Sequence, residues 1–104
     1  MFKIGTDIVD ISRIEKSIEI ASFKTSVFTV NEIEYCRNAE NFAGIFAAKE
    51  AYFKALGTGI TKKLNSVEIL HNENGKPYLS GVANCDVSIS HDGGYAVAAV
   101  ILWS

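Results

Sequence analysis

The chain has 104 residues, 48% of them apolar and 21% charged, with a net charge of −2. That is the size and balance of one globular domain, expected here over residues 1–104. There is no global basic field to draw nucleic acid, no apolar run near the roughly 20 residues that span a bilayer, and no apolar signal-peptide core in "MFKIGTD".

Cys36 and Cys85 are too few and too separate for a disulfide framework or a zinc site, so free thiols in a cytoplasmic chain are the simpler expectation. "FKIGTDIVDI" opens as a strand, with Phe2, Ile4 and Ile8 on one face and Asp7 on the other. "SRIEKSIEI" follows as a helix, with Ser12 and Glu15 spaced as a capping box and Ile11, Ile14 and Ile18 as its apolar stripe. A second capping box, Thr29 with Glu32, starts "VNEIEYCRNA". A long helix runs from about Phe42 to Leu56, and Gly57 stands where a C-cap glycine belongs. "SVEIL" and "KPYL" flank the Asn74-Gly75 turn as one hairpin, whose Pro77 points to a sheet edge. "DVSIS" and "YAVAAVIL" flank "HDGG" as a second, with the nearly continuous apolar strand at the centre of its sheet. Strand, helices, then hairpins predict an α+β fold: a small antiparallel sheet packed on helices.

The long helix is apolar all round, as buried helices are, yet carries Lys49, Glu50 and Lys54. Glu50 and Lys54 have the spacing and order of a helical ion pair. They are either a plain surface pair or, given Phe46 and Phe53 beside them, charges kept at a cost for a site. Asp7 is either a turn-forming carboxylate that helps cap the next helix or half of a metal site. Asp7 and Glu50 without His or Cys are hard oxygen ligands suited to Mg²⁺ held jointly by substrate phosphates, with Lys54 one turn on in reach of a phosphate. In "SISHDGG", Ser88 and Ser90 share one strand face, and His91 is either structural or a loop-end functional group. In "HNENGKP", Gly75 permits close backbone approach with Lys76 beside it, or the segment is simply a good hairpin.

"IGTDIVDISR", "FAAKEAYFKALGTG", "NGKPY" and "SISH", in this order, resemble the holo-acyl-carrier-protein synthases, small bacterial 4′-phosphopantetheinyl transferases, from Ile4 to about Leu102. The resemblance implies transfer of phosphopantetheine from coenzyme A to a serine of apo acyl carrier protein, leaving adenosine 3′,5′-bisphosphate. It implies Mg²⁺ on the positions of Asp7 and Glu50, with Lys54 neutralising phosphate. It also implies coenzyme A contacts at Lys54, Gly75, Lys76, Pro77 and His91, the last near the 3′-phosphate. Glu50, directly or through a water on the metal, is the candidate base, so Glu50 and Lys54 are the expected catalytic residues. A homotrimer is implied, with active sites between subunits, and Arg13 at the start of the first helix faces the carrier protein. The two-sided apolar helix would then pack on its own sheet and on a neighbouring subunit, its three charges lining the cleft between them.

Three departures stand out against the family pattern. Ile45 occupies the position where many relatives have arginine, which puts more weight on Lys54, Lys76 and His91. "SRIEKSIEIASFK" is less basic than many first helices of the family, and the chain between Ile20 and Phe42 is short. The alternative to an enzyme is a non-catalytic module that binds nucleotide or carrier protein on the same fold.

Overall fold

In the computed structural model, residues 1–59 and 63–104 are described. Strand β1 (Phe2–Asp10) leads into helices α1 (Ile11–Ser17), α2 (Ala21–Val27), α3 (Val30–Tyr35) and α4 (Ala39–Leu56). A 3₁₀ turn (Leu64–Ser66) precedes β2 (Ile69–His71), β3 (Pro77–Leu79), β4 (Cys85–Asp92) and β5 (Tyr95–Trp103). The long strands form an antiparallel sheet in the order β1-β5-β4, and β2 and β3 pair as a separate ribbon. The α+β expectation holds, and the apolar β5 is the central strand.

Several boundaries differ from expectation, each for a local reason. The first helix is capped by Asp10, whose Oδ1 accepts from the Ser12 backbone N–H at 2.9 Å and the Ser12 hydroxyl at 2.7 Å. Ser12 therefore sits inside the first turn, and the Ser12–Glu15 capping box does not form. That helix ends at Ser17, and residues after Ile20 form the separate α2. The Thr29–Glu32 box forms in full. Helix α4 starts at Ala39 because Asn38 caps it, and ends at Gly57, whose φ of 78° is the left-handed C-cap. The second hairpin turns at Gly93 and Gly94, which leaves His91 and Asp92 within β4.

Helix α4 is the spine of the molecule. Its small buried residues, Ala43, Ala47, Ala48, Ala51 and Ala55, let other elements come close. Gly5 of β1 comes closest: a Cβ there would lie 1.9 Å from the Ala51 carbonyl oxygen. The inner face of the sheet, with Val9, Val87, Ala96, Ala98 and Val100, covers one side of α4. Helix α1 and β2 cover other parts of it. Helix α4 is thus buried within its own chain, which corrects the expectation that one side awaits a neighbouring subunit. The apolar face left open is the outer face of the sheet, where Phe2, Ile4 and Ile8 are 74%, 70% and 64% exposed.

Lys49 is also corrected: it is fully buried and lines no cleft. Its ammonium lies 2.6 Å from Glu32 Oε1 and donates to the carbonyls of Val27 at 2.7 Å and Leu64 at 3.1 Å. Glu32 also accepts from the backbone N–H groups of Thr29 and Ile69. Burial pulls the Lys49 ammonium below its ordinary pKa while Glu32 opposes that pull. With every partner in place, the pair ties α3, α4 and β2 together.

Candidate active site

The close contact at Gly5 sets the first half of the site. Two residues further along β1, Asp7 points to the same inner face, opposite Ala98 of β5, and so meets the C-terminal half of α4. Lys54 donates to Asp7 Oδ1 and to the Thr6 carbonyl, both at 3.0 Å. The helical pair expected between Glu50 and Lys54 is replaced by this one, with the ammonium held on a carboxylate only 9% exposed. Asp7 Oδ2 is sealed from solvent and has no hydrogen-bond partner among the described residues.

Burial pushes the Glu50 carboxyl up, and the Asp7 charge pushes it further; Lys54 and Arg13 pull the other way. Asp7, Glu50, Lys54 and Arg13 therefore share one electrostatic neighbourhood, with Arg13 exposed in the first turn of α1. Among the described residues no three His, Cys, Asp or Glu side chains cluster as a metal cage. An unpartnered carboxylate oxygen beside a second, destabilised carboxylate is a donor set that a hard dication completed by phosphate oxygens would satisfy.

The second half lies at the opposite edge of the sheet. His91 points to the inner face of β4, with Val87 and Ile89 and away from Ser88 and Ser90, toward the N-terminal half of α4. Gly44 makes room for it: a Cβ at that position would lie 3.1 Å from His91 Nε2 and 2.9 Å from Ile89 Cγ2. His91 Nδ1 is 3.6 Å from Glu40 Oε1. His91, Gly75 and Pro77 share one cavity of about 170 Å³ with Asn41, Ile45, Tyr35 and His71. Gly75 has a φ of 82°, the left-handed turn conformation, and among the described residues no atom lies within 4 Å of where its Cβ would be. Lys76 is not in this cavity. Its ammonium is 2.7 Å from Asp86 Oδ1 and 3.0 Å from the Val87 carbonyl, beside a groove on the outer sheet face.

Tyr35 and His71 were not singled out in the sequence. Their rings stack with centroids 3.8 Å apart and 3° between planes. One hint was legible: only Cys36–Asn38 join α3 to α4, so the short connection carries Tyr35 against the β2–β3 ribbon.

The sequence profile of the 4′-phosphopantetheinyl transferase superfamily matches residues 3–100. The chain belongs to that superfamily. Within it, the chain is similar to the holo-[acyl-carrier-protein] synthase of Ruminiclostridium cellulolyticum, 41% identical over 95% of this chain and 90% of the relative. That of Nautilia profundicola is 44% identical over 95% and 97%. Among solved structures, the Bacillus anthracis holo-(acyl-carrier-protein) synthase in complex with CoA (3′,5′-ADP) superposes with a TM-score of 0.85, covers 96% of this chain and 94% of its own, and is 38% identical. The Helicobacter pylori enzyme in complex with coenzyme A gives 0.85, 97%, 99% and 34%. The fold of this transferase is therefore that of its relatives across nearly the whole chain.

Proposed function

We propose that residues 1–104 form one phosphopantetheinyl transferase domain, which moves 4′-phosphopantetheine from coenzyme A to a serine of apo acyl carrier protein in the cytoplasm. The observation that carries this is the convergence of Asp7, Glu50 and Lys54 in one electrostatic cluster. A binding module on the same fold has no need of a buried, unpartnered carboxylate oxygen beside a second carboxylate.

Asp7 and Glu50 hold Mg²⁺, which when bound supplies Lewis-acid polarisation of the diphosphate. Lys54, anchored on Asp7 and the Thr6 carbonyl, presents its half-exposed ammonium to the same phosphates. The carrier serine oxygen attacks the phosphorus nearest the pantetheine arm. The bond to the bridging oxygen breaks, and adenosine 3′,5′-bisphosphate leaves with the electron pair. Glu50, directly or through a water, takes the serine proton; burial and the Asp7 charge raise the proton affinity of its carboxylate. Positioning and charge neutralisation dominate such a step.

The cavity around His91, Gly75 and Pro77 receives the nucleotide end of coenzyme A, with His91 at the 3′-phosphate. Lys76 acts at the rim, if at all, because Asp86 already engages its ammonium. Arg13, exposed and close to the carboxylates, meets the acidic carrier protein. The carboxylates lie at the β1 edge of the sheet and the cavity at the β4 edge, and the outer sheet face is apolar. This arrangement fits a ring of three copies with sites between subunits.

Incubation with coenzyme A, Mg²⁺ and an apo carrier protein separates the two functions. Release of adenosine 3′,5′-bisphosphate is expected. A thermal shift with coenzyme A but no release would leave only the binding module.

A further inference from the structure

Ile45 lines the same cavity as His91. Among the described residues, no lysine or arginine lines that cavity. Lys76, two residues before Tyr78 on the neighbouring ribbon, spends its ammonium on Asp86 and the Val87 carbonyl. What the cavity holds in addition to His91 is a second imidazole, His71, at the end of β2.

His71 is built into place. Its ring lies flat on Tyr35, 3.8 Å between centroids. Its Nδ1 is sealed from solvent and has no partner among the described residues, so Nε2 is the nitrogen left to meet a ligand. Burial holds the ring below the ordinary histidine pKa. A second proton, on Nδ1, would bury an unpaired N–H and a charge together. With Nδ1 sealed, Nε2 is the nitrogen able to act as a donor in this cavity.

Resting on the reading that this cavity receives the 3′-phosphate of coenzyme A, we propose that His71 is a second phosphate-binding residue. It donates Nε2–H to the phosphate from the wall of the cavity that His91 also lines. Tyr35 is its positioning residue, holding the ring so that Nε2 faces the cavity.

The test is His71→Phe, which keeps a flat ring on Tyr35 and removes the donor. The KM for coenzyme A should rise roughly ten-fold, the low end of a hydrogen bond to a charged group, with kcat little changed. The KM for dephospho-coenzyme A, which lacks the 3′-phosphate, should stay within about two-fold of the wild type on the same grounds. His71→Gln, which restores a side-chain N–H, should recover part of the loss. An equal penalty on both coenzymes, or none on either, overturns the proposal. His91→Ala, measured alongside, separates this from the parent reading. If His91→Ala penalises both coenzymes equally, the cavity does not take the 3′-phosphate; if it discriminates and His71→Phe does not, only the role of His71 falls. The wild-type protein gives a check free of folding effects. The ¹⁵N resonance of His71 Nε2 should move with adenosine 3′,5′-bisphosphate and not with adenosine 5′-monophosphate, and an indifferent Nε2 contradicts the assignment.

Discussion

Lys54 has carboxylates on two elements within reach, Glu50 on its own helix and Asp7 on β1, and takes the more buried one. A helix-only argument sees the i, i+4 partner and misses the strand, since the strand contact depends on how β1 meets α4. The carboxylates themselves were legible as a pair of hard ligands. Alanine at Asp7 or Glu50 should abolish turnover while the protein stays folded. Loss of Asp7 frees a half-exposed lysine to water at a cost of about 1 kcal/mol or less. Steady-state rates and thermal melts of the two variants check this, and full activity in either, or in EDTA, rules out the metal site. Glu50 also gives a pH prediction. Its carboxyl is raised in the folded state, so its contribution favours folding at acid pH and is lost as pH rises through the elevated value. Glu50→Gln should therefore raise the melting temperature at pH 7–8 and leave it nearly unchanged near pH 3. A melt that falls at neutral pH would show that Glu50 is not repelled by Asp7.

Elements were legible where local signals were strong. Thr29 with Glu32, Gly57 after α4 and Asn74-Gly75 each appear as their chemistry demands. The failures came where a competing local acceptor or a tertiary partner decides. Asp10 outbids Ser12 as the α1 cap because its carboxylate takes both the Ser12 N–H and hydroxyl. Lys49 looks like a site charge in the sequence, and only the fold brings Glu32 to it from another helix. Gly5 looks like an ordinary strand glycine until α4 is laid against it. Gly5→Ala forces β1 away from the backbone of α4, since no side-chain adjustment can clear a carbonyl oxygen 1.9 Å away. Overpacking of this kind costs about 1–3 kcal/mol or more. Asp7 moves with β1, so kcat should fall well beyond what the loss of folded protein explains. Denaturant titration and kinetics on the same sample separate the two effects; a destabilised variant with wild-type kcat would show that the contact does not set the site.

At the scale of the whole molecule, the outer sheet face is the largest departure from a self-contained chain. Phe2, Ile4, Ile8, Val97 and Trp103 are exposed together on paired strands, where opposite residues such as Ile4 and Ile101 lie side by side. We propose this contiguous apolar face as the contact between copies of the chain. The sequence suggested an uncovered side of α4 together with the apolar "AVAAVIL" strand; α4 is covered within the chain, and the alternation along β1 and β5 leaves the outer sheet face uncovered. Light scattering should give a trimer, and Ile4→Glu should dissociate it and lower activity with it. An active wild-type monomer at micromolar concentration would remove the between-subunit site.

The central claim is group transfer by the cluster of Asp7, Glu50 and Lys54. Intact-mass spectrometry of an apo acyl carrier protein, incubated with this chain, coenzyme A and Mg²⁺, tests it most directly. The carrier should gain the mass of one phosphopantetheine group, localised to a single serine, with wild-type protein and not with Asp7→Ala. An unmodified carrier with folded wild-type protein, or equal modification by Asp7→Ala, would contradict the account.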